Sequence, residues 1–331
     1  MSNNLGYIVQ NVNIDVRMSS ASGGAFTALA QNIINKGGIV YGAVLDDNLE
    51  VCHKRITRID DITSLRGSKY VQSNLKNTFS EAFSDLQAES LVLFSGTPCQ
   101  IAGLKSYLRK EYDNLYTVSV ACKGVASNKF WEEYKAYQES KYKSKIENVK
   151  FRDKHYGYST ASMALSFEYG KNYYKGYEED PFLFFYVKEM ISRPSCSKCY
   201  FKIESNPSDI VIFDCWHIYK MQKEMDDNKG TTSVIVKNLK GKTLLTNCID
   251  SLKIVEHDWK ELIDYDGIML VKSFPKNSYR DEVFMDLNSH GIEHCIKKYM
   301  NLNTKVKLKS ILKVLLYKLG MLNKLKRIKG K

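Results

Sequence analysis

The first 140 residues alternate short apolar runs with stretches of helical periodicity, and this alternation limits the fold more than any other feature of the sequence. Apolar residues spaced three and four apart predict a helix over residues 22–35, which Gly37 and Gly38 end. Three predicted strands follow it, at 39–44, 91–94 and 116–120. They alternate with three further predicted helices, at 77–86, at 101–109 and after the cap Asn128. Such repetition favours a largely parallel or mixed sheet that binds ligands at the carboxyl ends of its strands.

The rest of the chain has a different pattern. Residues 162–167 and 173–177 alternate like a β-hairpin, a helix is predicted after Asp180, and residues 210–213 are an apolar strand. The predicted fold class is therefore α/β for an N-terminal part over residues 1–150. An α+β C-terminal part over 151–300 and a basic helical tail over 301–331 are predicted to follow it.

Positive charge is concentrated at the C-terminus. The chain has 49 Lys and Arg against 37 Asp and Glu, for a formal net charge of +12, and ten of the basic residues lie within 304–331, where there is no acidic residue. The remaining chain carries only +2 of that charge. This distribution argues against a nucleic-acid-binding fold and for a tail that contacts an anionic surface.

Apolar residues recur at helical spacing between the lysines of this tail: Val306, Leu308, Ile311, Leu312, Leu315 and Leu316. The pattern predicts an amphipathic helix that lies on an anionic membrane, and its alternatives are a solvated tail or a helix docked on the body. No secretory signal and no apolar segment of roughly 20 residues is visible. We therefore expect a cytoplasmic protein with peripheral contact to the inner face of the cell membrane.

Four of the eight cysteines are candidate metal ligands. Cys196 and Cys199 form a Cys-x-x-Cys pair, and Cys99 and Cys122 each follow a predicted strand and could share an edge of the sheet. Four thiolates suit zinc or an iron–sulfur cluster, and spacing alone does not choose between them. Cys215 is ambiguous, because it lies near the pair but follows an apolar strand. Cysteines without such context are interpreted as small apolar residues: Cys52, Cys248 and Cys295.

Two segments could bind an anion. Ser20, Ser22, Gly23 and Gly24 lie at the start of a predicted helix, where small residues and the helix dipole favour a phosphate; a serine N-cap with a glycine turn is the alternative. The second segment combines cations, a ring and an amide in a way that suits a nucleotide, or else forms a solvated basic loop: Arg66, Ser68, Lys69, Tyr70 and Gln72. The six histidines show no metalloprotease spacing and are predicted to be structural or exposed. No catalytic residue is assigned.

Four motifs together resemble the coenzyme F420 hydrogenase/dehydrogenase beta-subunit family. They are SASGGAF at 20–26, LRGSKYVQS at 65–73, FSGTPCQIAGL at 94–104 and RPSCSKC at 193–199. The resemblance runs from about residue 15 to about residue 270.

This resemblance implies an oxidoreductase that binds FAD and a 4Fe-4S cluster. It implies flavin and pyrophosphate contacts at both anion-binding segments and at Gly96 and Thr97. It also implies that the cluster ligands are Cys99, Cys122, Cys196 and Cys199.

The sequence departs from the family at several points. Many relatives carry an additional ferredoxin-like run of four closely spaced cysteines, which is not found here, so electrons are expected from a separate ferredoxin-like or other donor protein. The segments CKGVAS at 122–127 and DCWH at 214–217 also differ from the usual CHGVPS and Asp-x-Trp-Gly patterns. The family includes similar bacterial members encoded among genes for surface-polysaccharide assembly, in hosts that are not expected to make the deazaflavin coenzyme, and this argues against a deazaflavin substrate.

The leading interpretation is an oxidoreductase acting on a sugar or nucleotide-sugar intermediate of polysaccharide biosynthesis. One alternative is an electron-transfer subunit without its own substrate, docked to a membrane-associated complex. Another is a zinc-stabilised binding module without flavin.

Overall fold

The computed structural model describes residues 4–300 and 304–322, without the side chains of 305 and 307. Half of the tail's basic residues lie outside the described residues, in the segment 324–331. The chain divides into two compact units, each assembled from two stretches. The first unit comprises Met1–Lys123 and Lys198–Phe274, and the second comprises Gly124–Ser197 and Pro275–Lys331.

The described residues form two sheets. Their strands are β1 (Leu5–Asn11), β2 (Ile39–Leu45), β3 (Val51–Ile56), β4 (Val92–Gly96), β5 (Leu115–Val120), β6 (Ile146–Asp153), β7 (Ser162–Phe167), β8 (Asn172–Lys175), β9 (Ile210–Asp214), β10 (Thr232–Val236) and β11 (Leu252–His257). The first unit holds an eight-stranded sheet in the order β11-β1-β10-β9-β5-β4-β2-β3, and the second holds β6-β7-β8.

Helices cover both units. In chain order they are α1 (Ile14–Ser19), α2 (Ala25–Asn35), α3 (Ile62–Leu65), α4 (Thr78–Gln87), α5 (Pro98–Leu108), α6 (Asn128–Tyr142), α7 (Pro181–Val187), α8 (Ile218–Met221), α9 (Leu239–Thr246), α10 (Trp259–Asp266), α11 (Ile268–Val271), α12 (Arg280–Tyr299) and α13 (Thr304–Lys318). The chain is thus an α/β protein with a helical C-terminal part, which confirms the predicted fold class.

The eight-stranded sheet is covered by helices on both faces, because its strands alternate buried side chains between the two. Val40 and Leu93 pack with α2 and α9 on one face. Tyr41 and Phe94 pack with α4 and α5 on the other face, and Val211 packs there with α10 and α11. Each fully buried side chain of this size contributes about 1.5–3 kcal/mol, so these layers hold the loops at the strand ends in place.

The second unit has an aromatic core and includes the described part of the tail. Trp131, Phe151 and Phe182 pack together with ring centroids 4.8–5.4 Å apart. Lys313 Nζ on α13 lies 2.6 Å from Glu179 Oε2, and the Tyr317 ring lies 4.7 Å from that of His155. No helix among the described residues is both long and apolar enough to cross a membrane.

Several element boundaries differ from the sequence predictions. α2 begins three residues later than predicted, at Ala25, because Gly24 has a φ of +80°. α5 begins three residues earlier, since Pro98 has the fixed φ that suits a first helical position. The N-cap of α6 is Ser127, one residue before the predicted Asn128. Strands β1, β3, β6, β10 and β11 were not predicted as individual elements.

Candidate functional site

One edge of the eight-stranded sheet collects the loops of the first unit. Strands β2, β4, β5 and β9 are parallel, so their carboxyl ends share this edge. β1 runs in the same direction, because it is antiparallel to β10, which is antiparallel to β9. The connections after β1, β4, β5 and β9 therefore begin at this carboxyl edge, where ligands bind in sheets of this type.

The serine–glycine loop, Ser19–Gly24, is fixed to the start of β10. Ser22 Oγ donates a hydrogen bond to the Thr231 carbonyl (2.6 Å), and Gly23 N donates to Thr232 Oγ1 (2.8 Å). A Cβ on Gly23 would lie 2.5 Å from the Val9 carbonyl oxygen, so only glycine fits. The loop is therefore held by its own packing, whether or not a ligand binds.

Helix α2 follows this loop directly. Gly24 occupies its N-cap, and no described side chain caps the helix. Ser20, in contrast, is the C-cap of α1 and donates its hydroxyl to the Val16 carbonyl of that helix (2.6 Å). A helix N-terminus carries partial positive charge and exposed N–H groups, so this end of α2 is suited to an anion.

Arg66 brings the second segment that was predicted to bind an anion to the same place. Its Nε donates to Thr27 Oγ1 in the first turn of α2 (3.2 Å), and its Nη1 donates to Ser19 Oγ (3.1 Å). Partial burial lowers the pKa of Arg66. The structure therefore places a guanidinium beside the positive end of a helix dipole, an arrangement that an anion would stabilise.

The other residues of this segment are less directly engaged. Lys69 Nζ donates to the carbonyls of Ser64 (3.1 Å) and Arg66 (2.8 Å), and burial lowers the pKa of Lys69 to about 7. Ser68 and Tyr70 are half-buried, and Gln72 is exposed. The structure thus gives Lys69 a role in holding the loop backbone.

The Gly96–Thr97 turn joins β4 to α5. Thr97 is the N-cap of α5, and its backbone N–H and its hydroxyl both donate to Gln100 Oε1 (2.9 and 3.1 Å). A Cβ on Gly96 would lie 3.0 Å from the same Oε1 atom. Both predicted binding residues therefore stand at the carboxyl edge and also shape the turn.

His53 links two of the sequence motifs, a role that no sequence pattern indicated. Its Nε2 lies 3.0 Å from the Ser95 carbonyl oxygen and its Nδ1 lies 2.7 Å from Ser73 Oγ. Because a carbonyl only accepts, Nε2 carries the proton and Ser73 donates to Nδ1. Burial lowers the pKa of His53 to about 4, so the ring is neutral and structural. Its strand, β3, is too polar for a pattern-based prediction.

Cys99 and Cys122 follow neighbouring parallel strands. Gly96 of β4 pairs with Ser119 of β5, and each cysteine comes three residues after its member of this pair. Cys99 is exposed in the first turn of α5, with its Sγ 3.2 Å from Thr97 Oγ1, and Cys122 is half-buried. Both cysteines therefore belong to the carboxyl edge of the first unit.

Cys196 and Cys199 lie on and just after the short 3₁₀ helix Pro194–Lys198. Both are half-buried. The Cys196 N–H donates to the Arg193 carbonyl (3.0 Å) within the second unit, and the Cys199 carbonyl accepts from Ser273 Oγ (3.3 Å) within the first. The shared ligand role of these two cysteines stays a prediction.

The remaining four cysteines are buried: Cys52, Cys215, Cys248 and Cys295. Burial raises the pKa of the Cys215 thiol to about 12. It raises the pKa of the Cys248 and Cys295 thiols to about 11. Cys215 packs in the apolar core beneath β9. A thiol that resists ionisation is a poor metal ligand, so Cys215 is best interpreted as a core residue.

One group of possible ligands was not predicted from the sequence. Asp286, His290 and His294 of α12 place their ligating atoms within 4.8 Å of one another, the only such group of three among the described residues. Their spacing of four and four is visible in the sequence but does not match a metalloprotease pattern. Asp286 Oδ2 already accepts from Tyr299 (2.7 Å) and Lys298 (2.9 Å), so the carboxylate is neutralised without a metal.

One comparison shows the family of this chain, and a second shows a similar fold. The profile for the C-terminal part of the coenzyme F420 hydrogenase/dehydrogenase beta subunit matches residues 90–261, a span that includes all four candidate cysteine ligands. A chain from a structure titled as a xenon derivative of the F420-reducing [NiFe] hydrogenase complex from Methanosarcina barkeri has a similar fold. The TM-score is 0.52 at 15% identity, over 86% of this chain and 92% of that one. No curated protein matches the sequence. The profile covers more than half of the chain, which therefore belongs to the coenzyme F420 hydrogenase/dehydrogenase beta-subunit family.

Proposed function

We propose that the protein is an oxidoreductase that uses FAD and a 4Fe-4S cluster to modify a sugar or nucleotide-sugar intermediate of surface-polysaccharide synthesis. Family membership supports the redox class, since the family is named for hydrogenase and dehydrogenase beta subunits. The observation that carries the flavin proposal is the Arg66 guanidinium at the N-terminus of α2.

The donors at this place fit a pyrophosphate. A guanidinium and a helix N-terminus repel one another unless an anion lies between them, and both donate N–H groups. Arg66 and the backbone of Gly24 and Ala25 would hold the pyrophosphate. FAD, when bound, would supply hydride chemistry and its conversion to single-electron steps. Because the serine–glycine loop is already ordered, FAD binding would not incur the entropic cost of ordering this loop.

The proposed ligands of the cluster are Cys99, Cys122, Cys196 and Cys199. They are the four cysteines that keep some solvent exposure, whereas the other four are buried. A cluster held by four thiolates would supply one-electron transfer, with electrons from a ferredoxin-like or other donor protein. The sugar substrate rests on the likeness to polysaccharide-locus members of the family.

A second candidate function is an electron-transfer subunit without its own substrate. The fold neighbour is described as part of a hydrogenase complex, which favours this alternative. Reduction of bound flavin by candidate sugar nucleotides separates the two functions. Reduction only by a protein donor supports the electron-transfer role.

We also propose that α13 contacts an anionic membrane. Leu308, Ile311, Leu312 and Leu315 are each more than half exposed, and the tail carries ten cations. Each cation near such a surface contributes about 1 kcal/mol. Sedimentation with phosphatidylglycerol vesicles should be strong at low salt and weak with phosphatidylcholine, and the variant Ile311→Glu should reduce it. Absence of binding to either vesicle type would favour a helix docked only on the second unit.

Anaerobic purification, reconstitution and absorption spectroscopy test the cofactors. The protein should retain flavin, iron and sulfide. Arg66→Ala should weaken FAD binding about tenfold or more, as expected for loss of a charged hydrogen bond, whereas exposed Arg58→Ala should not. Cys199→Ser should lower iron content and buried Cys248→Ser should not. A reconstituted protein without flavin and iron would overturn the proposal.

A further inference from the structure

An imidazole at the carboxyl edge is oriented by a buried carboxylate. His217 follows β9, and its backbone N–H donates to Asp266 Oδ2 (3.0 Å) while its Nδ1 lies 2.7 Å from Asp266 Oδ1. Asp266 is the last residue of α10, and its side chain is 1% exposed. The carboxylate thus fixes both the loop and the ring, and it selects the tautomer with the proton on Nδ1.

The other ring nitrogen of His217, Nε2, is available for proton transfer. The His217 side chain is 39% exposed, and no described residue forms a hydrogen bond with its Nε2. The rings of Tyr219 and Tyr265 flank it at 5.9 and 5.8 Å, and Lys220 Nζ lies over Tyr265. These neighbours limit the motion of the imidazole and leave Nε2 able to accept or donate a proton.

This pair lies next to the serine–glycine loop. The Thr231 carbonyl accepts hydrogen bonds from Ser22 Oγ (2.6 Å) and from the Cys215 N–H (3.1 Å). Cys215 precedes His217 by two residues, so a single carbonyl joins the loop proposed to bind flavin to the segment that carries the imidazole. Both features therefore lie in one part of the carboxyl edge.

We propose that His217 is the proton-transfer residue of the redox site and that Asp266 is its positioning residue. This inference rests on the proposed flavin function. A carbonyl substrate would receive a hydride, with its electron pair, at carbon from the reduced flavin, and its oxygen would receive the proton from His217 Nε2. The C=O π bond breaks as the C–H and O–H bonds form. In the reverse direction, the imidazole would take the hydroxyl proton of an alcohol while the hydride on the alcohol carbon passed to the oxidised flavin, leaving a carbonyl. Asp266 stabilises the protonated ring in either direction.

Two artificial acceptors test this role without knowledge of the substrate. Duroquinone, which cannot alkylate thiols, needs two electrons and two protons, whereas ferricyanide needs electrons alone. The photoreduced, FAD-reconstituted protein should reduce both. In His217→Gln the rate with duroquinone should fall at least tenfold while that with ferricyanide stays unchanged, and added imidazole should restore part of the loss. His257→Gln is the matched control, because His257 pairs with Glu261 (3.0 Å) at the opposite end of β1.

The outcomes separate the two proposals. Failure to bind or reduce flavin overturns the proposed function and this inference with it. Normal flavin reduction with equal duroquinone rates in His217→Gln and the parent overturns the inference alone. Nitrogen NMR of the apoprotein gives a readout that does not depend on flavin. His217 should carry its proton on Nδ1, and Asp266→Asn should change that tautomer. A proton on Nε2 in the parent would contradict the assigned orientation.

Discussion

The polar groups around Arg66 and those around Asp180 show two different ways of placing charge in a fold. Asp180 of the second unit is fully buried, and its carboxylate accepts from Tyr134 (2.5 Å), Tyr173 (2.8 Å) and the Leu183 N–H (2.8 Å). Arg66 of the first unit is half-buried, and among the described residues its guanidinium donates to only two hydroxyl oxygens, beside a helix end that repels it.

This difference indicates which cluster is structural. The partners of Asp180 all lie within its own unit and satisfy it completely, so nothing further is needed there. The Arg66 guanidinium has further N–H groups that can donate hydrogen bonds, and it lies beside the positive end of α2. A bound anion would accept from these N–H groups and would offset the repulsion. A buried charge with a complete set of hydrogen-bond partners indicates a structural group, whereas a cation without a counter-charge indicates a group that binds an anionic ligand.

The largest effect should come from Asp180→Ala. The change leaves two tyrosine hydroxyls and one N–H without an acceptor, which should lower the free energy of unfolding by about 3–5 kcal/mol. Chemical denaturation measures this loss. Exposed Glu147→Ala in the same unit should change stability by less than about 0.5 kcal/mol. Equal stability of the two variants would break the comparison.

Acid should act on the two units in opposite senses. Burial raises the pKa of Asp180 to about 6 from 3.8, so the folded state holds a proton that the unfolded chain loses, and stability from this group rises as pH falls from 6 to 4. The pKa of His53 is lowered to about 4 from 6.5, so its contribution is lost over pH 6.5 to 4. Each effect is on the order of 3 kcal/mol.

Hydrogen exchange followed by mass spectrometry, corrected for intrinsic rates, resolves the units. Between pH 7 and 4.5 protection should fall around β3 and β4 and rise around α6 and α7. His53→Gln should remove the first trend and Asp180→Asn the second. Parallel loss in both units would show that these two groups do not control the acid response.

Gly23→Ala should have a smaller effect that sharpens the comparison within the serine–glycine loop. The added methyl would meet the Val9 carbonyl, so we expect a loss of about 1–3 kcal/mol in the apoprotein. Gly176→Ala, where a Cβ meets only the flexible end of Lys313 at 3.9 Å, is the control. Thermal unfolding compares the two. An undamaged apoprotein that binds FAD poorly would show that Gly23 serves the ligand instead.

The smallest effect on stability should be that of Arg66→Ala. The loss of its two hydrogen bonds to hydroxyls should be offset by removal of its repulsion with the helix dipole. We therefore expect the free energy of unfolding of the apoprotein to change by less than about 1 kcal/mol. Urea denaturation measures this. A loss above about 2 kcal/mol would place Arg66 with Asp180 as a structural group.

Local patterns predicted the parallel half of the first unit well. Apolar runs indicated β2, β4 and β5, and helical spacing indicated α2 and α4, because these elements are specified by their own side chains. β1 was missed because its partners lie more than 220 residues away, as in the pairing of Leu5 with Val236. His53, His217 and Arg66 acquire their roles from distant partners, which a single sequence does not display. The cysteine ligands and the flavin contacts were named from family likeness and stay predictions.

The position of β1 between β10 and β11 also has a consequence for synthesis. At about 5–20 residues per second, on the order of tens of seconds separate the emergence of β1 from that of both its neighbours. During this interval the nascent strand offers unpaired backbone groups to chaperones or to other chains, so the yield of active protein should depend on the speed of translation and on holdase supply.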